Sequence, residues 1–184
     1  MQRQPCGGWK RSSVGCGPKA GGPDYVAEQV TAAASIIDCA SAEGSYRRAW
    51  SEWFGGRHDP TGLVSEHNDL RYRCLDGVLA RIGRDTPEGA LQSARRAAEI
   101  CGTRVLVSDS SDETEDALLQ RLAGLGVERV RLLTVTLGEV LRSGCLAQGV
   151  EIDVEPVSAS GRRELRRWVR EQAISRTAHR HGRV

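Results

Sequence analysis

The stretch VLARIGRDTPEGALQSARRAAEICGTRVLV, residues 78–107, decides the fold because it reads as strand, helix and strand. The short apolar run at 78–82 predicts the first strand. Residues 87–101 fit a helix that has proline in its first turn and is stopped by Gly102. Residues 105–107 predict the next strand. Two strands joined through a helix favour a right-handed crossover and a parallel sheet.

The alternation continues toward the C-terminus. Further helices are predicted at 112–122 and 138–146, and further strands at 130–135 and 150–154. Asp85 or Thr86 is expected to cap the first helix, and acidic residues open the second, where the helix dipole favours them. The sequence therefore predicts an α/β fold, with a small Rossmann-like domain and a mostly parallel sheet.

A dinucleotide site in this domain is not expected. Its fingerprint is a glycine-rich turn between the first strand and helix, with an acidic residue after the second strand. The turn at 83–87 reads GRDTP and lacks the glycines. Asp109 follows the second strand, but without a phosphate loop it carries little weight.

Residues 45–54, SYRRAWSEWF, carry four aromatic side chains at i, i+4, i+7 and i+8, namely Tyr46, Trp50, Trp53 and Phe54. This spacing predicts one apolar face of a helix packed on a neighbour. The alternative is an aromatic surface for another part of a larger protein.

Residues 55–68 are predicted to be a loop. It holds four potential metal ligands, namely His58, Asp59, Glu66 and His67. Because their spacing places no ligand pair on one element, a solvated loop is favoured over a metal site. The six cysteines form no CxxC pair, so neither a metal site nor a disulfide framework is expected.

Composition bounds the class of protein. The chain has 184 residues, 39% of them hydrophobic, and a net charge of +2. That content allows a core of aliphatic residues, and the charge points to no strongly charged partner. With no long apolar run, we expect a cytoplasmic protein with reduced thiols and no membrane partner.

The C-terminal segment, residues 161–184, is basic, with eight arginines against two glutamates. Its apolar residues fit a helical stripe: Leu165, Trp168, Val169, Gln172 and Ala173. Arginine stems beside an apolar stripe favour docking on protein, and we expect no nucleic-acid partner.

The N-terminal stretch QPCGGWKRSSVGCGPKAGGPDY, residues 4–25, is dense in glycine. Such glycine usage is typical of flexible linkers and of loops that approach a ligand closely. The order of its residues resembles the loop near the C-terminal end of the aldehyde dehydrogenase superfamily. The continuation KAGGPDY narrows the resemblance to L-glutamate γ-semialdehyde dehydrogenase, although Cys6 stands where that family has phenylalanine. Residues 58–73 and 168–182 resemble two further segments of its long forms, including those fused to proline dehydrogenase.

The resemblance implies an NAD-dependent oxidation of L-glutamate γ-semialdehyde to L-glutamate in proline catabolism. It implies that Gly21 and Gly22 anchor the carboxylate of the substrate, with Ser13 and Ser12 near the site. The catalytic cysteine and glutamate of the family lie upstream of its glycine loop. We therefore expect no catalytic residue in this chain, and NAD bound by the part of the family domain that the chain lacks.

Three domains are predicted: the end of an aldehyde dehydrogenase catalytic domain (residues 1–30), a helical linker (31–70), and a Rossmann-like accessory domain with a basic docking tail (71–184). One hypothesis is a C-terminal dehydrogenase fragment that is inactive alone. The alternative is a non-enzymatic lid subunit that docks on a separate dehydrogenase chain. Whether the chain forms a homo-oligomer stays open.

Overall fold

The computed structural model describes residues 39–134 and 136–177, which form an α/β fold with two sheets. The helices are α1 (Cys39–Ala49, continued by a π-helical turn at Trp50–Phe54), α2 (Ala90–Cys101), α3 (Glu115–Leu122), α4 (Glu139–Ala147) and α5 (Gly161–Leu165). The strands are β1 (Arg57–His58), β2 (Glu66–Cys74), β3 (Gly77–Ile82), β4 (Arg104–Asp109), β5 (Arg129–Leu132), β6 (Glu151–Asp153) and β7 (Val169–Thr177).

Four strands form a parallel sheet in the order β4-β3-β5-β6. Strand β3 is central, with Gly77 beside Arg104 on one side and Val78 beside Arg129 on the other. Its residues Val78, Leu79 and Ala80 are fully buried, as expected of a parallel strand covered on both faces. The predicted α/β fold with a parallel sheet is confirmed.

The core has two clusters, one on each face of this sheet. Val78 and Ala80 pack with α1 and α2, whereas Leu79 packs with α3 and α4. Successive residues of a strand point to opposite faces, so β3 joins the two clusters. No helix among the described residues is both long and apolar enough to span a membrane.

The first crossover helix begins later than predicted. Helix α2 starts at Ala90, after Gly89. The Thr86 hydroxyl accepts a hydrogen bond from the Gly83 N–H, so it stabilises the preceding turn and does not cap the helix. Gly102 ends the helix as predicted. It has a left-handed φ of 75°, and its N–H donates to carbonyls of the last turn, as glycine does most readily.

The aromatic segment is helical, as predicted. Tyr46 and Phe54 are buried in the core cluster, and Trp53 packs against it. The Tyr46 hydroxyl also donates to the Ser158 carbonyl oxygen at 2.7 Å. This contact ties α1 to the segment that precedes α5.

Strands β1, β2 and β7 form a separate antiparallel sheet, and it corrects two predictions. Residues 55–68, predicted to be a loop, include β1 and the start of β2. The predicted apolar helical stripe in the C-terminal segment is wrong, because β7 pairs with β2 along nine residues, from Cys74 opposite Val169 to Glu66 opposite Thr177. Backbone hydrogen bonds to β2 outweigh the weak helical spacing of that segment.

Candidate functional site

A crevice lies at the carboxyl ends of β3, β4 and β5. Its volume is about 840 Å³, and its lining is polar, with Arg81, Arg84, Asp85, Ser110, Ser111, Glu113, Thr114, Glu115, Thr134 and Thr136, besides Leu141. The strand order reverses between β3 and β5, and ligands of open α/β sheets bind at such a reversal, beyond the carboxyl ends of the strands. The crevice is therefore the place to test for a cofactor.

The floor of the crevice is a closed ionic network. The side chain of Arg81 is only 4% exposed and donates to the Ser108 hydroxyl at 2.5 Å and to the Glu113 carbonyl oxygen at 2.6 Å. Hydrogen bonds from Arg121 above all, and from Ser108, lower the pKa of the Glu113 carboxyl to about 2. Arg81, Glu113 and Arg121 form hydrogen bonds within this network. They therefore stabilise the fold and are not available to a ligand.

A carboxylate of the chain occupies the N-terminus of α4. The two oxygens of Glu115 accept hydrogen bonds from the N–H groups of Gly138 and Leu141, both at 3.0 Å. A Cβ at position 138 would lie 2.3 Å from Glu115, so glycine permits this approach. A helix N-terminus is where a phosphate would bind, and here the protein supplies its own anion.

A side chain also covers the turn that follows β3. A Cβ at Gly83 would lie 2.6 Å from the Ser110 hydroxyl, so that hydroxyl covers the glycine where a pyrophosphate would approach. Asp109 accepts from the Ser111 N–H at 2.8 Å and stabilises its own turn. The residues of this crevice therefore do not fit a dinucleotide such as NAD.

The predicted substrate-binding residues Gly21, Gly22 and Ser13 lie outside the described residues, as do Ser12 and Cys6. The role that the resemblance implies for the glycine loop therefore stays a prediction.

Two of the described thiols, Cys101 and Cys145, are poor nucleophiles. Cys145 lies in α4 and is fully buried. Burial raises the pKa of the Cys145 thiol, and burial likewise raises the pKa of Cys101. A reactive cysteine needs a lowered pKa and access to substrate, so neither residue fits the catalytic thiolate of a dehydrogenase.

The histidine-rich segment is structural. The His58 ring stacks on Trp53 with ring centroids 4.3 Å apart, and its Nε2 lies 2.7 Å from the Trp53 carbonyl oxygen. Asp59 accepts from the N–H groups of Thr61 and Gly62, both at 3.0 Å. Within residues 39–134 and 136–177, no three potential ligands come together around a metal position.

Sequence reasoning missed a buried cluster that holds the C-terminal segment. Arg131 of β5 donates to both carboxylate oxygens of Glu164 in α5. The Trp168 indole N–H donates to the same carboxylate at 3.0 Å, and the Ser158 N–H at 2.9 Å. Arg167 adds a contact to Asp153 at 2.5 Å. The start of the basic segment is therefore docked on its own domain. The alternating RVRL of β5 gave no sign that its second arginine is buried.

The described fold is that of an α/β domain of Rossmann-like strand order, with an attached antiparallel sheet. Among solved structures, Proline Utilization A (PutA) from Corynebacterium freiburgense is similar, with a TM-score of 0.60 and 24% sequence identity. The match covers 93% of this chain and 16% of that chain, so the chain spans a small part of PutA. At this identity the likeness shows a shared fold.

Histidinol dehydrogenase from Elizabethkingia anophelis matches more weakly, with a TM-score of 0.46 and 8% identity over 72% of this chain and 38% of that chain. No family model and no curated protein sequence matches the chain.

Proposed function

We propose that this chain is the non-catalytic, C-terminal accessory part of an NAD-dependent dehydrogenase that oxidises L-glutamate γ-semialdehyde to L-glutamate in proline catabolism. The fold shared with a segment of Proline Utilization A, over nearly the whole chain, is the observation that carries the proposal. The three separate stretches of sequence resemblance, at 4–25, 58–73 and 168–182, point to the same family.

The chemistry of the reaction indicates which groups the catalytic part has to supply. Oxidation of an aldehyde in this family needs a thiolate that attacks the carbonyl carbon, a base that activates water, and NAD to accept the hydride. The Cys101 and Cys145 thiols are buried, and protein groups occupy the positions in the crevice where the phosphates of NAD would bind. Both observations support placing the thiolate, the base and NAD in a separate catalytic part. Gly21, Gly22 and Ser13 of this chain would contribute contacts to the substrate carboxylate, because converging backbone N–H groups suit an anion.

A non-catalytic accessory role would also suit a separate subunit. The described residues bury one hydrophobic cluster on each face of the parallel sheet, so this part of the chain has the core that a domain needs to fold alone. A lid subunit that docks on an independent dehydrogenase chain is therefore the second candidate.

An assay of NADH formation tests the proposal. The purified full chain, supplied with L-glutamate γ-semialdehyde and NAD, should form no NADH above the rate without protein. Addition of the dehydrogenase catalytic chain from the same organism should give turnover. Turnover by this chain alone would refute a non-catalytic role.

A further inference from the structure

Two cysteines from different elements come together at the amino end of the parallel sheet. Cys74 is the last residue of β2, and Cys101 is the last residue of α2. Three positions further along each segment, Gly77 of β3 stands beside Arg104 of β4 in the parallel register. The two cysteines therefore precede neighbouring positions of adjacent strands.

One backbone carbonyl holds the two segments at this level. The Trp168 carbonyl oxygen accepts from the Leu75 N–H at 3.0 Å and from the Thr103 hydroxyl at 2.8 Å. Leu75 follows Cys74 directly, and Thr103 lies two positions after Cys101. Because both donors share one acceptor, the chain is fixed on the C-terminal side of each cysteine.

The Cys74 thiol lies against the end of α2. Its sulfur is 3.8 Å from the position that a Cβ would take on Gly102, the residue next to Cys101. Burial above all raises the pKa of the Cys101 thiol, and the charge of a Cys74 thiolate raises it further. An electrostatic effect of one thiol on the other is expected of groups that share a site.

The two thiols differ in access to solvent. Cys74 is partly exposed, whereas Cys101 is only 2% exposed. An oxidant in solution can therefore reach Cys74, and Cys101 can meet only a sulfur that has already been oxidised. An accessible cysteine beside a second, resolving cysteine is the arrangement of a redox-sensitive thiol pair.

We propose that Cys74 and Cys101 form a reversible disulfide when the protein meets a peroxide. Cys74 is the residue that is oxidised first, and Cys101 is the resolving residue. The proposal is independent of the proposed function, since it concerns only groups of this chain and a small oxidant.

The chemistry takes two steps. The Cys74 sulfur attacks one oxygen of hydrogen peroxide, the O–O bond breaks, and a sulfenic acid and one water result. The Cys101 sulfur then attacks the Cys74 sulfur, the S–O bond breaks, and the Cys101 proton leaves with that oxygen as a second water. Two thiols thus lose two electrons in total, and one peroxide is reduced to two waters. Because burial keeps the proton on Cys101, the second step limits the rate.

The disulfide would lock the end of β2 to the end of α2. It closes the segment 74–101, and a link of this kind stabilises mainly by restricting the unfolded chain. Where small thiols are abundant the link is reduced again, so the lock is reversible. Cys145 packs in the core cluster on the opposite face of the sheet from Cys101, and it therefore serves as the control.

Peptide mapping of the full chain tests the pairing. Reduced protein is exposed to hydrogen peroxide, the remaining thiols are alkylated, and trypsin cleaves after the arginines that flank each cysteine. We expect the peptide of residues 74–81 joined to that of residues 97–104 as the main cross-link, and its loss after treatment with dithiothreitol. Cys74→Ser should abolish this cross-link, and Cys145→Ser should leave its yield unchanged.

A second variant tests the order of the two steps. In Cys101→Ala the Cys74 sulfenic acid has no resolving thiol, so its trapping by dimedone should rise about fivefold or more over wild type. Equal trapping in the two proteins would contradict the role of Cys101.

Thermal unfolding tests whether the fold accommodates the link. Oxidised wild type should unfold about 5 °C or more above reduced wild type, and peroxide should not raise the unfolding temperature of Cys74→Ser. A lower unfolding temperature after oxidation overturns the proposal. So does oxidation of Cys74 without a link, or a link from Cys74 to a cysteine other than Cys101.

Discussion

Arg131 of β5 donates to both carboxylate oxygens of Glu164 in α5, and neither side chain is exposed to solvent. The Arg131 guanidinium also lies over the Trp168 ring, 5.1 Å from its centroid. This pair joins the parallel sheet to the segment that leads into β7. It therefore fixes the position at which β7 begins relative to the parallel sheet.

Breaking this pair on one side should destabilise the protein strongly. Glu164→Gln leaves the buried Arg131 guanidinium with only Asp153, 3.9 Å from its Nε, as a counter-charge, so we expect a loss of about 3 kcal/mol in the free energy of unfolding. Urea denaturation measures this loss. The double variant Arg131→Met/Glu164→Leu should recover part of it, because both charges of the pair are gone, whereas the Trp168 and Ser158 N–H groups lose their acceptor. A loss below about 1 kcal/mol in the single variant would mean that water reaches the pair.

Glu113 should make stability depend on acid. Its folded pKa is lowered to about 2, chiefly by hydrogen bonds from Arg121, whereas a free glutamate titrates near about 4.3. Its contribution is therefore fully present above about pH 5 and is lost as the pH falls toward 2. In Glu113→Gln, the free energy of unfolding should fall less between about pH 6 and pH 3. The exposed Asp116→Asn is the control, and a wild-type pH dependence in Glu113→Gln would contradict the assignment.

Two glycines should respond in opposite directions to alanine. A Cβ at Gly161 would lie 2.3 Å from the Ser45 carbonyl oxygen, whereas a Cβ at Gly44 meets nothing within 4 Å. Gly161→Ala should cost about 1–3 kcal/mol through overpacking between α5 and α1. Gly44→Ala, inside the exposed part of α1, should add about 0.5–1 kcal/mol. Thermal unfolding of both variants checks the contact, and equal shifts would refute it.

The cysteines should differ in reactivity. Burial raises the pKa of the Cys101 and Cys145 thiols, so alkylation of the folded protein at about pH 8 should spare both, since a thiol reacts as thiolate. Partly exposed Cys74 should react faster. Site-resolved mass spectrometry measures the labelling, and denaturant should make all three react. Rapid labelling of Cys145 in the folded protein would reopen its assignment as an inert thiol.

The parallel sheet could be predicted because its signals are local. The apolar run of β3, the alanine-rich helix α2 and the left-handed Gly102 each identify an element without reference to distant residues. The bounds of the predicted elements shifted by at most three residues, and α2 begins later than predicted because Thr86 holds the preceding turn.

The antiparallel sheet of β1, β2 and β7 could not be predicted in the same way. In β2, Leu70, Tyr72 and Cys74 alternate with charged residues, which is a strand signal, but residues 55–68, which include the start of that strand, have the polar composition of a loop. In β7 the apolar residues near its start fit a helical spacing by coincidence. Only the pairing of residues about a hundred positions apart distinguishes the two structures.

The sites were only partly accessible from the sequence. The absence of a glycine loop at 83–87 was visible, but the carboxylate of Glu115 at the start of α4 depends on a crossover between distant elements. The burial of Arg131 and Glu164 depends likewise on the position of α5. Charged residues give no sequence signal for burial when their partner is remote.

The most direct measurement is sedimentation of the full chain mixed with the L-glutamate γ-semialdehyde dehydrogenase catalytic chain from the same organism, with NADH formation followed in the same mixture. The account predicts a complex at concentrations on the order of 1 µM, since interfaces of ordinary size have micromolar or lower dissociation constants, and turnover that requires the catalytic chain. Two separate species at about fifty times that concentration, or NADH formed by this chain alone, would contradict it.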